Sequence, residues 1–497
     1  MPLDAAFDIK ELGSILEVRK VIARIKGLPT CAYGQPLFFS KGARGMVIGF
    51  DKQTVMALLL DDASELKSGD MVIARSESLK CPVGNGFLGR VVNGLGEISD
   101  GKSAVKPDDY YPIFSEAPGI VDRDSLKRQI FTGTKAVDMM IPIAKGQREL
   151  IIGDRVTGKT TFAVDAVLNQ KGKNVICIYC CIGRSYNFLI KLSQLLRERG
   201  AMDYSIIVNS AADSAAGEQY LAPYTAACIG EFFMRQGKDV LVVFDDLTKH
   251  AWTYRQISLL MDRSPGREAY PGDIFYIHSQ LVERAAQLKK ELGGGSMTFL
   301  PMVETQQGDV TGYISSNLIS MTDGQIYLGT ELFQEGFKPA IDLGLSVSRI
   351  GNKIQCPAMR TLCGPLRLEY VQYRELLNVT KMRSTVSKEA QARLLRGAVM
   401  TEIFKQDKNE PVDMIEQILL IYALRKGVLD DLPKDQIKAF KLNFFKFVCD
   451  YHPAFIQQLK EELAMTEKIK EALNDIIPDY FAKTDEIKFE TAGSIKK

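Results

Sequence analysis

The sequence predicts a multidomain α/β chain with an N-terminal β-barrel, a central P-loop α/β domain and a C-terminal α-helical bundle. Three observations predict it. Short apolar runs separated by turn signals fill the chain before residue 77, apolar strands alternate with helical segments between about 119 and 360, and helical spacing of apolar residues takes over from about Met359. The expected domains are 1–76, 77–360 and 361–497. A chain of 497 residues is too long for one ordinary domain. Hydrophobic residues at 46% and charged residues at 25% lie in the globular range and exclude long disorder. The net charge of +2 gives no electrostatic reason to expect nucleic acid as a partner. No apolar run approaches the roughly 18 residues that cross a bilayer, and MPLDAAFDIKELG is not a basic-then-apolar leader, so no direct membrane insertion is expected. Nine scattered cysteines read as reduced thiols, with Cys177, Cys180 and Cys181 as core inside an apolar run. His250, His278 and His452 are too far apart in sequence to form a histidine metal motif.

In the first part, ILEVRKVIARI, GMVIGF, TVMALLL and MVIAR read as strands, and the alternation of Val18, Lys20, Ile22 and Arg24 suits one wet face. A small barrel is the natural closure for several short strands. No interleaving of basic and aromatic residues marks it as an oligonucleotide-binding barrel, so it reads as scaffold. From Cys81 to Gly119 the glycine-rich CPVGNGFLGRVVNGLGEISDGK and the following DDYYPIFSEAPG read as a turn-rich connector.

The central part is organised by RELIIGDRVTGKTTFAVDAVLNQ, in the order strand, loop, helix. Its pattern Gly153-x-x-x-x-Gly158-Lys159-Thr160 is a P-loop, whose glycines allow backbone N–H groups and the helix N-terminus to face phosphates. Gly153, Asp154, Arg155, Val156, Thr157, Gly158, Lys159, Thr160 and Thr161 are therefore candidate contacts for ATP or ADP. Lys159 would reach the terminal phosphates, and Thr160 would hold Mg²⁺. NVICIYCCIG then reads as a buried strand, Asn187 to Arg199 as a helix, SIIVNSA as a strand and Tyr224 to Gln236 as a helix. VLVVFDD is the acidic-ended strand expected beside the P-loop, with Asp245 orienting a water on Mg²⁺ and Asp246 a second candidate. In the final part Ile415, Ile418, Leu419, Tyr422 and Ala423 share one helix face, and Gly427 can end that helix. Ile437, Phe440, Phe444, Phe447 and Val448 form a second stripe that reads as bundle core. The polar DEIKFETAGSIKK reads as a frayed end.

Across nearly the whole chain these motifs, together with QYLAPYTA, VVFDDLTKHAWTYRQISLL, SPGREAYPGDIFYIHSQLVERAA, ETQQGDV, SSNLISMTDGQIYL and GLSVSRIG, resemble the alpha-subunit family of rotary F-type ATP synthase heads. The resemblance implies a RecA-type central domain and a ring of three alpha-like and three beta-like chains around a gamma-like shaft, with nucleotide at each boundary. It implies that this chain binds Mg-ATP without hydrolysing it. It also implies that Arg349, in GLSVSRIG, reaches into a beta-like neighbour as an arginine finger, where a fixed charge and planar fork suit a transferring phosphate. A peripheral complex on the cytoplasmic side of the cell membrane, or the matrix or stromal face, is the implied location.

The residues support the same division of labour. A hydrolytic site of this kind needs a carboxylate just beyond the strand after the P-loop helix, and here that corner is Gly183-Arg184. The family's catalytic subunits carry glutamate there and its alpha subunits usually glutamine. Arg184 is a candidate phosphate contact or a surface residue without a role, and the sequence leaves both open. Val156 stands where a P-loop glutamine is common and Lys338 where an arginine near the base is usual, while Gln406 keeps one of two base-site glutamines and Lys408 replaces the other. The stretch before the barrel is shorter than the family extension that docks a peripheral stalk, which leaves that partner open. A second reading is an alpha-like chain of a specialised head not coupled to a proton channel, such as the gliding-type machinery of mollicutes. Remoter readings, a hexameric nucleic-acid translocase and a self-sufficient export ATPase, both require the missing carboxylate.

Overall fold

The computed structural model describes residues 9–380 and 387–494. Its described residues divide into two compact units, the first formed by 9–126, 145–163 and 170–325 and the second by 127–144, 164–169, 326–380 and 387–494.

The first unit begins with a closed six-strand barrel. Its strands are β1 (Ile9–Arg19), β2 (Ile22–Lys26), β3 (Pro36–Phe39), β4 (Arg44–Phe50), β5 (Val55–Leu59) and β6 (Met71–Arg75), paired in the order β1-β2-β5-β4-β3-β6 and closed by β1 on β6. Ile15, Ile25, Leu37, Val47, Ala57 and Val72 meet in its core, the inward half of a period-two pattern. The run expected as one strand, ILEVRKVIARI, is a hairpin instead. Lys20 turns it with φ +54°, so that Val18 pairs with Ala23 and Arg19 with Ile22. The expected connector is also partly strand: β7 (Lys80–Val83) pairs with β9 (Asp109–Pro112), while β8 (Val91–Asn93) joins the main sheet.

The chain next gives β10 (Gln129–Ile130), α1 (Lys135–Met140) and β11 (Ile143–Ala144) to the second unit. It returns with β12 (Leu150–Gly153) and α2 (Lys159–Leu168), of which the part from Val164 belongs to the second unit, followed by β13 (Val175–Arg184), α3 (Tyr186–Glu198), β14 (Ser205–Ala211), α4 (Ala216–Arg235) and β15 (Asp239–Asp245). Then come α5 (Leu247–Leu260), α6 (Ile274–Val282), β16 (Ala286–Gln287), β17 (Ser296–Glu304) and α7 (Tyr313–Met321). The parallel sheet runs β8-β14-β13-β15-β17-β12. Its central strands are buried along almost their whole length and mainly apolar, as suits strands covered on both faces. β17 lies between β15 and β12 in the sheet. Helix α4 starts eight residues before the expected Tyr224 and carries Pro223 inside it. A Cβ on Gly217 would lie 2.3 Å from the Leu59 carbonyl, so only glycine lets the first turn of α4 rest on the barrel. Gly217→Ala is expected to lower the urea midpoint of unfolding, by an amount equivalent to about 1–3 kcal/mol.

β18 (Gly324–Leu328) leads into the second unit, where α8 (Thr330–Gln334) and β19 (Val347–Ser348) precede seven helices. These are α9 (Pro357–Cys363), α10 (Leu366–Thr380), α11 (Lys388–Phe404), α12 (Met414–Arg425), α13 (Lys434–Tyr451), α14 (Pro453–Glu462) and α15 (Glu467–Ser494). Asp413 caps α12 through the Ile415 N–H, and Gly427 follows it with φ +73°. Phe440 and Phe444 stack with centroids 4.4 Å apart, and Tyr480 meets Phe444 edge-on, which places the second stripe in the bundle core. The polar end expected to fray is helical to Ser494; residues 495–497 lie outside those described.

Candidate nucleotide-binding site

β12 ends at Gly153 and α2 begins at Lys159, so Asp154 to Gly158 form the loop between them. Gly158 takes φ +105° and its carbonyl accepts the Phe162 N–H at 3.0 Å, which starts the helix. Val156 also has positive φ, +68°, an uncommon strain for a β-branched residue, and is 78% exposed. The loop is held at both ends. The Thr157 hydroxyl donates to the Asp154 carbonyl at 2.8 Å, while the Asp154 carboxylate accepts from the Thr305 hydroxyl at 2.6 Å and the Gly308 N–H at 2.8 Å. Lys159 is buried and donates to the carbonyls of Gly153 and Asp154, each at 2.7 Å; burial lowers its pKa. Arg155 is exposed and lines a cleft of about 410 Å³ with Thr248, Trp252, Glu304 and Thr305. Thr161 is half-buried on the first turn of α2.

Although β17 separates their strands, the P-loop and the acidic end of β15 meet. The Thr160 hydroxyl donates to Asp245 Oδ2 at 3.2 Å, and the Tyr179 hydroxyl donates to the same oxygen at 2.9 Å. Arg184, at the end of β13, donates from Nε to Asp245 Oδ1 at 3.0 Å and from Nη2 to the same atom. Its guanidinium also lies 3.7 Å from Asp246 Oδ2 and packs over Phe188. The register explains the encounter, since Cys181 pairs with Asp245 and Arg184 follows three residues later. Arg184 is therefore neither a bare surface residue nor directed only at a ligand: it is the ion-pair partner of Asp245. Asp246 faces inward and caps α5 through the Lys249 N–H at 3.0 Å. Burial, with the charges of Asp245 and Glu304, pushes its pKa up to about 6. Lys249 extends its ammonium to the Gly183 carbonyl at 2.7 Å.

Mg²⁺ at such a site would take the Thr160 hydroxyl and a water held by Asp245. Thr160 fits, because its proton is already given to Asp245 and its lone pairs remain. Asp245 does not fit. An ionised carboxylate has about four acceptor positions, and two on Oδ1 are taken by Arg184 while two on Oδ2 are taken by Tyr179 and Thr160.

The other candidate residues belong to the second unit. The Gln406 N–H donates to the Lys338 carbonyl at 2.8 Å, and the Gln406 side chain is bound to backbone, donating to the carbonyls of Gly133 and Glu410 and accepting from the Lys135 N–H. Lys338 places its ammonium over the Phe333 ring, and Lys408 is exposed. Arg349 follows β19 and is exposed, with no hydrogen-bond or ion-pair partner among the described residues.

The sequence does not show a buried pair in the first unit, His250 with His278. His250 Nε2 lies 3.1 Å from the Tyr220 carbonyl and must donate to it, leaving Nδ1 to accept from His278 Nε2 at 3.3 Å. Burial pushes the two imidazoles down to about 4 and about 3, against about 6.5 when exposed. The unfolded chain thus binds these protons first. Stability carries no penalty from the pair above about pH 6.5 and falls as the pH drops from there towards 4, by on the order of 2 kcal/mol per histidine between pH 7 and 5. Urea midpoints at the two pH values check this, and a smaller pH slope is expected when His278 is replaced by Gln.

Models of the ATP synthase alpha/beta family match the chain in three stretches: the beta-barrel domain at residues 8–75, the nucleotide-binding domain at 133–348 and the C-terminal domain at 355–480. Among its relatives, an ATP synthase subunit alpha of Clostridium botulinum (strain Eklund 17B / Type B) is 47% identical over 468 residues, 94% of this chain and 93% of the relative. The ATP synthase subunit alpha of Clostridium acetobutylicum is 46% identical over 477 residues, 96% and 94% of the two chains. Barrel, P-loop sheet and helical unit follow one another as in those three models, and the match to whole relatives is nearly end to end: the chain belongs to the ATP synthase alpha/beta family.

Proposed function

We propose that the chain is the non-catalytic, nucleotide-binding alpha-like subunit of a rotary ATP synthase head, holding ATP or ADP on its own P-loop and lending Arg349 to a beta-like neighbour. The observation that carries this reading is the corner after β13. A water-activating carboxylate is needed there for hydrolysis, and this chain has Arg184, a permanent cation bound to Asp245. The residues around the P-loop can bind, orient and neutralise phosphate, and just beyond β13 a cation stands in place of the carboxylate that would take a proton from water. The exposed position of Arg349, without an internal partner among the described residues, leaves its guanidinium for another chain. Thr160 keeps lone pairs that could ligate a divalent cation accompanying the nucleotide, whereas Asp245 has none left to hold that cation's water. Lys338, Gln406 and Lys408 are the residues the family resemblance assigns to the base. A three-to-three ring with beta-like chains, a gamma-like shaft and attachment at the cytoplasmic face of a membrane, coupled to proton transport, complete the proposal, with the peripheral stalk left open.

The test is binding against turnover by the purified chain. ATP is expected to bind but not to be hydrolysed, and Lys159→Ala is expected to weaken binding at least about tenfold, the loss of one charge-assisted phosphate contact. Hydrolysis by the single chain at a rate comparable to a complete head would sink the non-catalytic reading.

A further inference from the structure

The four donors around Asp245 set the metal requirement of this site. In a P-loop pocket where the acidic strand end has free lone pairs, the carboxylate repels bare phosphate and holds a water of the divalent cation, so nucleotide and metal enter together. Here the buried carboxylate has its negative charge met by Arg184 and its lone pairs filled by Arg184, Tyr179 and Thr160. Two features of ordinary metal dependence are thereby removed: the uncompensated charge facing the phosphates and the acceptor for the metal's water. The guanidinium is fixed in place by its hydrogen bonds to Asp245 and by packing over Phe188. Lys159 and Lys249 add cationic charge nearby, held on the carbonyls of Gly153 and Gly183 at the ends of β12 and β13.

We propose that Arg184 is the resident counter-ion of Asp245, so that this site holds a nucleoside polyphosphate with little dependence on a divalent cation. The inference rests on the nucleotide-binding reading of the P-loop and deepens it. Arg184 acts through Asp245 and is a positioning residue. Tyr179 shares that role, because its hydroxyl takes an acceptor position a metal-bound water would otherwise use.

Equilibrium binding of ATP to the full-length chain, measured by calorimetry in excess Mg²⁺ and again in excess EDTA, tests this without reading activity. The two affinities are expected to agree within about threefold for the native chain. Arg184→Gln, which restores an unpaired carboxylate, is expected to lose about tenfold or more in affinity on chelation, equivalent to one charge-assisted hydrogen bond. Tyr179→Phe keeps the ion pair and frees one lone pair, so it should shift the same ratio in the same direction by less; this substitution also guards against a misfolded Arg184→Gln. A native chain that loses ATP by about thirtyfold or more in EDTA overturns the role of Arg184 while leaving nucleotide binding intact. Absence of ATP binding under both conditions overturns the nucleotide reading itself, and the inference with it.

Discussion

Arg349→Ala is expected to leave ATP bound to this chain with nearly unchanged affinity while lowering hydrolysis by the assembled ring by roughly 10³- to 10⁵-fold, the range over which arginine fingers act. The split between the two readouts follows from placement. Arg349 lies beyond β19, exposed, while the P-loop and its acidic partner Asp245 belong to the other compact unit. Ser348 anchors the preceding residue by donating to the Pro142 carbonyl at 3.1 Å, so the finger extends from a fixed base. Truncation removes charge and the bidentate fork without touching that anchor, and Arg349→Lys should recover little because an ammonium cannot reproduce the fork. Ring activity that survives Arg349→Ala would refute the assignment of the finger.

The second large effect is on stability. Glu231 on α4 and Arg284 after α6 form an ion pair at 2.6 Å, with both side chains almost wholly buried, and Arg284 also donates to the Ile113 carbonyl at 2.8 Å. Removing one partner leaves an uncompensated charge in the interior. Glu231→Ala is therefore expected to cost about 3–5 kcal/mol, read as a lower urea midpoint with unchanged slope. The double replacement Glu231→Leu with Arg284→Met should cost much less, since no charge is then stranded. If the single and double variants lost stability equally, the charge would not be the cause.

Elements whose own residues carry a strong period were legible in the sequence. β14 and β15 are continuous apolar runs with polar ends, and α12 repeats apolar residues at helical spacing before Gly427. The hairpin between β1 and β2 was not, because Lys20 and Val21 lack turn chemistry and the alternation of apolar residues continues across them. The early start of α4 was not legible, because Pro223 inside the helix disfavours helix in its own first turns and yet is accommodated there. At the site, the P-loop, Asp245 and the absent carboxylate could be read directly from spacing. The attachment of Arg184 to Asp245 could not, because 61 residues separate them and only the pairing of β13 with β15 brings them together. Tyr179 left one signal, a polar-tipped ring in the buried run of β13, and His250 with His278 left none until two helices packed.

The row of thiols on β13 has a further use. Cys177, Cys180 and Cys181 are fully buried at the centre of the parallel sheet, and burial pushes each thiol well above its ordinary pKa. In the native fold they are shielded twice, by lack of access and by lack of thiolate. Their alkylation must wait for the strand to open, so the labelling rate of this one strand is a built-in clock for opening of the sheet, read by mass spectrometry without introducing a probe. Bound nucleotide that steadies the strand's Arg184 end would slow that clock, giving a measure of ligand occupancy that needs no turnover.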